Sequence, residues 1–165
     1  MKFIHKIALL LFFASGQAIA LESDVNKPIT IDSNSATYDD ATGTSTYSGN
    51  VISVQGSMQV NSDKLVVYFK NGDPEKLIFT GNKARFKQTP TLGSEDIIGE
   101  AMSGEYQPKK HVLLLTGDAI VTQGNATYAS HLIEYDSRNS IVKAGEKASD
   151  NKRVHVTLKP KVQTQ

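Results

Sequence analysis

The stretch YSGNVISVQG, Tyr47 to Gly56, returns as LTGDAIVTQG, Leu115 to Gly124. Both carry Gly, then Asn or Asp, then an apolar residue, and end in Gln-Gly at the same spacing. Internal repeats constrain a fold more than any local propensity does, because each copy is one structural unit that buries its apolar face against the next. Tyrosines mark the same period: SDKLVVY ends at Tyr68, EAMSGEY at Tyr106 and ASHLIEY at Tyr135, with DSNSATY at Tyr38 ahead of them. Behind each comes Gly with a polar residue: Gly49-Asn50, Gly81-Asn82, Gly117-Asp118 and Gly145-Glu146. The chain is thus four degenerate copies of one unit.

The unit has β texture. ITI (Ile29, Ile31), RFKQ, NATYASHLIEY and VHVTL (Val154, Val156, Leu158) alternate apolar with polar residues. Breakers such as DDATGT, KNGDPEK, TPTLGSED and DSRNS separate the runs. No amphipathic helix follows residue 20. The Gly-Asn/Asp pairs are expected where a strand bends or turns, since glycine tolerates positive φ and Asn and Asp come next. Hydrophobic residues make up 39% of the chain, with no Trp. That fills a thin core better than a broad two-sheet one, and favours an elongated antiparallel sheet wrapped on itself over an ordinary β-sandwich.

Residues 1–20, MKFIHKIALLLFFASGQAIA, have the layout of a cleavable signal peptide: Lys2 and Lys6, an apolar run, then Ala18-Ile19-Ala20. The run is shorter than the ~20 apolar residues of a membrane span. The mature domain is expected over 21–165, with a short polar C-terminal tail. Two of the 18 Lys/Arg fall in the leader, leaving 16 against 17 Asp/Glu. A near-neutral chain without a basic stripe argues against nucleic acid as partner. There is no cysteine, which removes thiol catalysis, thiolate metal sites and disulfides. Exported, soluble and cysteine-free points to the bacterial periplasm.

Catalytic signals are absent. His111, His131 and His155 lack metal-ligand spacing, so no metal site is expected. Asp39-Asp40 and Glu95-Asp96 sit in turn-rich segments, and strand neighbours point to opposite sides. No nucleotide-binding or nucleophile motif occurs, so neither an enzyme nor a cofactor is expected. The rival class is a polysaccharide-binding or polysaccharide-acting repeat β protein of the periplasm, which would need charged residues clustered across adjacent repeats. A passive structural or adhesin module is a third possibility.

Alternation makes Ile29, Ile31, Val51, Met58, Leu65, Val67, Phe69, Phe86, Met102, Leu114 and Val156 candidates for an apolar inner face. Periodicity alone leaves open whether they fill a core or line a ligand path. A rolled sheet that does not close leaves two edges able to pair with other strands. The expected edges are Ile29, Thr30, Ile31 and Asp32 at the start and Val154, His155, Val156, Thr157 and Leu158 at the end. Pro28 and Pro160 lie just outside them, where a missing N–H costs little.

From about Lys27 to Leu158 the chain resembles the OstA/LptA family of lipopolysaccharide-transport proteins. The resemblance is carried by Pro28-Ile29-Thr30-Ile31-Asp32-Ser33, Gly49-Asn50-Val51 with Gln55-Gly56, Asn61-Ser62-Asp63-Lys64 and Leu115-Thr116-Gly117-Asp118-Ala119, in that order. It implies an all-β, elongated, slightly twisted antiparallel β-jellyroll around an apolar groove. Lipid A acyl chains of lipopolysaccharide would occupy that groove, with the positions of Ile29, Ile31, Phe86 and Tyr106 facing it. It also implies a bridge between the two membranes: end-to-end self-association, an LptC-like inner-membrane-anchored partner at one end, and the N-terminal domain of an LptD-like outer-membrane protein at the other.

Overall fold

Short hairpins and mid-strand kinks set this architecture. The computed structural model describes residues 24–91, 93–145 and 153–160. The expected leader, residues 1–20, and the tail beyond Pro160 lie outside the described residues. Ten strands follow in order: β1 (Ile29–Asp32), β2 (Ser35–Asp39), β3 (Thr44–Gln55), β4 (Met58–Lys70), β5 (Asp73–Gln88), β6 (Ile97–Gln107), β7 (Val112–Gln123), β8 (Ala126–Asp136), β9 (Ile141–Ala144) and β10 (His155–Leu158). They form one all-antiparallel sheet, with β3 to β8 each paired to the next. β1 and β2 share the outer side of β3, and β9 and β10 share the outer side of β8. Among the described residues no helix is long and apolar enough to cross a membrane.

The Gln-Gly ends of the repeat are hairpin turns. Gly56 and Gly124 have φ of 59° and 58° and open the two-residue links β3–β4 and β7–β8. A positive φ at the first link position matches the turn whose twist suits flanking strands. The Gly-Asn/Asp pairs do something else. Gly49-Asn50 (φ 81° and 47°) and Gly117-Asp118 (φ 80° and 46°) lie inside β3 and β7, where the pairing register shifts. Register also shifts between Asn61 and Lys64, between Thr80 and Ala84, and between Glu100 and Ser103. These are β-bulges, which insert residues on one strand and bend it. They fall at one height across β3 to β8, so the sheet carries a transverse crease. At the β4–β5 step the Asp63 carboxylate accepts from the Asn82 N–H at 3.0 Å, satisfying a donor beside the bulge.

The crease folds each strand's two halves into facing layers. The first layer holds the β3–β4, β5–β6 and β7–β8 turns and is edged by β1 and β10. The second holds the turns at the opposite ends of the strands and is edged by β2 and β9. Phe86 and Tyr135 make the geometry explicit, with ring centroids 5.7 Å apart. Phe86 is level with Gly99, Val121 and Tyr128 across the sheet. In a flat sheet Tyr135 would be ~14 Å sideways and ~23 Å further along β8. The layers are staggered: the first-layer halves of β3 and β4 cover second-layer residues Leu77, Phe79 and Tyr106 of β5 and β6.

The space between the layers is the core. Phe79, Phe86, Leu65, Ile97, Leu113, Leu115, Ile133, Tyr135, Val51 and Val121 are all fully buried there. The outer face carries cross-strand ion pairs, Lys143–Glu134 at 2.7 Å and Lys87–Asp96 at 2.8 Å among them. Exposed pairs of this kind contribute ~0–1 kcal/mol. Stability therefore rests on the ladders and the inner face, as a cysteine-free chain requires.

Candidate functional site: an apolar interior with free edges

The site is the inner face, and the crease decides who faces it. Of the residues expected there, Val51, Met58, Leu65, Val67, Phe86 and Tyr106 are buried in the core. Ile29, Ile31 and Phe69 are partly buried and pack against it. Two expectations are corrected. Met102 is 45% exposed, because the β6 bulge displaces it from the alternation that buries Ala101 and Gly104. Leu114 stands on the opposite side of β7 from Leu113 and Leu115, which are wholly buried. Val156 stands on the core side of β10, opposite Tyr128 in the cross-strand row of Val121 and Phe86, and is 46% exposed because it lies at the open edge. Sequence reasoning missed Phe79, Ile97, Val121, Ile133 and Tyr135, which lie deeper than the first strand does. The second Gly-Asn/Asp signal in β7 could have found Val121, since it mirrors Ser53 of the first copy.

Few polar groups reach this interior. Tyr106 and Tyr135 put their rings into it, and burial pushes both phenols up, that of Tyr135 to about 12. The Tyr106 hydroxyl is buried and meets no hydrogen-bond partner among the described residues. Leaving such a group unpaired costs ~1–3 kcal/mol. Tyr106→Phe is therefore expected to be neutral or stabilising by up to ~1 kcal/mol at pH 7. An acid whose folded pKa is raised supports the fold below its unfolded pKa of ~10, and that support drains away as pH rises beyond it. Thermal melts should show stability falling above about pH 10, less steeply in Tyr106→Phe. An unchanged alkaline slope in the variant would refute the assignment.

Between the layers remains a cavity of about 20 Å³, lined by Ile29, Ser53, Gln55, Met58, Val60, Leu65, Leu77, Phe79 and Tyr106. That is room for about one water molecule. Any larger apolar guest has to part the layers, which are joined at the crease and held elsewhere by side chains.

The edges are as notable as the interior. The first runs along β1, expected from the sequence, and β2, which was missed; the second runs along β10, expected, and β9, missed. Among the described residues neither edge pairs on its outer side. The Lys159 N–H bonds the Asn125 carbonyl at 2.9 Å, continuing the β10–β8 register. Peptide groups alternate sides along a strand, so the Val156 and Leu158 N–H groups point away from β8, to the open side. Stagger exposes apolar side chains at both ends: Val154, Val156 and Leu158 on the second edge, and Tyr38, edge-on to Phe69, on the first.

The polar clusters set aside earlier do local work. Asp39 accepts from the Ala41 and Thr42 N–H groups, and Asp40 accepts from the Tyr38 hydroxyl at 3.1 Å, all within the β2–β3 turn. Hydrogen bonds from Lys87 and Thr89 hold the Asp96 carboxyl below the usual carboxylate range. Among the described residues no group of three or more His, Cys, Asp or Glu is placed to hold a metal.

Comparison with known proteins agrees with this architecture. Residues 30–140 match the family described as LptA/(LptD N-terminal domain) LPS transport protein. The chain is 28% identical to the lipopolysaccharide export system protein LptH of Pseudomonas aeruginosa, over all of both chains. It is 31% identical over 156 residues to the lipopolysaccharide export system protein LptA of Escherichia coli, covering 93% of this chain and 83% of that one. The crystal structure of the Pseudomonas LptH, described as the LptA-homologous periplasmic component of the conserved lipopolysaccharide transport device, superposes with a TM-score of 0.77 at 26% identity. The match covers 84% of this chain and all of that one.

Proposed function

The chain belongs to the LptA/(LptD N-terminal domain) family of lipopolysaccharide-transport proteins, and from that premise we propose that it is a periplasmic, non-enzymatic carrier. It shields the acyl chains of lipid A between its two layers and forms part of a bridge between the membranes. The observation that carries this reading is a continuous apolar inner face in a sheet that, among the described residues, does not close. Each CH₂ kept from water is worth ~0.8 kcal/mol, so several acyl chains need an unbroken apolar lining. The interior is closely packed by side chains. Acyl chains would replace side-chain contacts with contacts of the same kind, and the layers have no backbone ladder between them to break.

The free edges support the second half of the proposal. An edge meeting a different edge gives a head-to-tail contact that stays open-ended, made by strand addition. The stagger turns it into a lap joint: the overhanging first layer at β10 meets the overhanging second layer at β2. The same joint serves a second copy, an LptC-like domain at one end and the N-terminal domain of an LptD-like protein at the other.

Val156→Pro tests the joint. It removes an N–H from the open side of β10 and leaves the β8 ladder intact, so the protomer should fold. Light scattering over a concentration series should show the wild type associating and the variant monomeric, with equal circular dichroism. Should the wild type stay monomeric, binding to an LptC-like or LptD-like domain is the readout. A folded variant that still associates like the wild type contradicts the edge assignment.

A further inference from the structure

Ahead of β1, a single 3-10 turn, Asp24–Asn26, lies over the corner made by the β3–β4 hairpin. The Asp24 carboxylate is bound there from several sides. Ser57 N–H donates to Oδ1 at 2.8 Å, Gln88 Nε2 donates to Oδ2 at 2.6 Å, and the Ser57 hydroxyl lies 2.7 Å from Oδ2. From below, Gln55 Nε2 faces the carbonyls of Lys27 at 3.1 Å and Val25 at 3.3 Å. The segment is thus fastened across the end of the first layer by side chains of β3 and β5 and the β3–β4 turn.

Its position makes the fastening consequential. Above it, a surface cleft of about 310 Å³ runs between Val25 and Asn26 on one side and Asp73, Pro74, Pro108 and Lys109 of the second-layer turns on the other. Beneath it is the apolar cavity that Tyr106 and Phe79 line. Ile29 and Gln55 border both spaces, so they form the partition. Moving residues 24–28, and turning aside the Ile29 side chain, would join the cleft to the interior.

The fastening is built to release. The Ser57 hydroxyl has one proton but faces two acceptors, Asp24 and the Thr89 carbonyl at 2.9 Å. Oε1 of Gln55 and Oε1 of Gln88 are buried without a hydrogen-bond partner among the described residues. A polar network only partly satisfied when closed gains from reaching water when open.

We propose that residues 24–28 are a latch, with Asp24 as its bolt, over a port through which an acyl chain enters the interior. This rests on the lipid-carrier reading. The incoming chain takes the place of the Val25 and Ile29 side chains, and its headgroup stays in the outer cleft beside the ion pair of Lys109 with Asp73, 2.9 Å apart.

The test uses the full chain, which has no native cysteine. Asp24→Cys with Ser57→Cys places a thiol on each side of the bolt, to be closed by oxidation and reopened by reductant. Loading is followed with purified lipid A in mixed micelles, and closure is checked by mass. The oxidised form should load at least tenfold more slowly than the reduced form, and reductant should restore the rate. Asp24→Ala should load at least as fast as wild type, with unchanged circular dichroism. Equal loading of locked and unlocked forms, or slower loading by Asp24→Ala, overturns the latch and leaves the carrier reading standing. Failure of every form to take up lipid A, wild type included, overturns both.

Discussion

Gly104→Val is expected to cost the fold about 3 kcal/mol or more, enough to unfold much of a marginal domain. Gly104 faces inward on β6, paired with Phe79 on β5. A Cβ there would fall 2.0 Å from the Phe79 ring, and two more ring atoms lie within 2.7 Å. Phe79 is 1% exposed and borders only the cavity of about 20 Å³, too small to take a displaced ring. Overpacking a tight core costs ~1–3 kcal/mol and occasionally more. Phe79→Ala alone should cost ~3–5 kcal/mol, through lost burial and a cavity. The double variant should be more stable than the sum of the two losses, because the valine fills the space the ring vacates. Urea denaturation of all three settles it. Strict additivity would mean that Gly104 does not seat the Phe79 ring.

Phe86→Ala should be comparably costly, ~3–5 kcal/mol, and is the more informative about architecture. Phe86 and Tyr135 sit three strands apart in the ladder yet stack at 5.7 Å with an interplanar angle of 51°. Aromatic pairs of this sort contribute ~0.5–1.5 kcal/mol beyond their burial. A double-mutant cycle with Phe86→Leu and Tyr135→Leu should return a coupling in that range. No coupling at all would falsify the facing-layer arrangement, since residues so far apart in an uncreased sheet cannot interact.

Much of this was legible in the repeat. Gly49-Asn50 and Gly117-Asp118 gave the bend, and the structure puts each at a bulge of positive φ. Gln55-Gly56 and Gln123-Gly124 also repeat, but their role as the starts of matching hairpin links was not read from the sequence. Alternation placed Leu65, Val67 and Phe86 correctly on the inner face. What alternation could not carry was its own change of phase. In β4, β5, β6 and β8 the inward parity changes at the crease, so a count from one side is wrong on the other, and Met102 sits at such a step, whereas β3 and β7 keep their parity across the Gly-Asn and Gly-Asp pairs. In Val112–Leu115 every residue is apolar, so nothing local tells Leu114 from its buried neighbours. The stagger of the layers depends on contacts between residues as distant as Phe86 and Tyr135, and no short window contains it. β2 and β9 were missed for a related reason. Each continues an edge that is broken at the crease, and an exposed half-strand has little apolar pattern: all five residues of β2 are exposed.

The central claim is that the acyl chains of lipopolysaccharide occupy the inner face. A photo-crosslinking residue placed singly at 31, 30, 102 and 114 tests it in cells that make lipopolysaccharide. Ile31 packs against the core at its accessible rim, while its neighbour Thr30 is exposed. Met102 and Leu114 lie outside the inner row. The account predicts strong lipopolysaccharide capture from position 31 and little from 30, 102 or 114. Equal capture from 30 and 31, or capture from 102 and 114 in preference to 31, would contradict it.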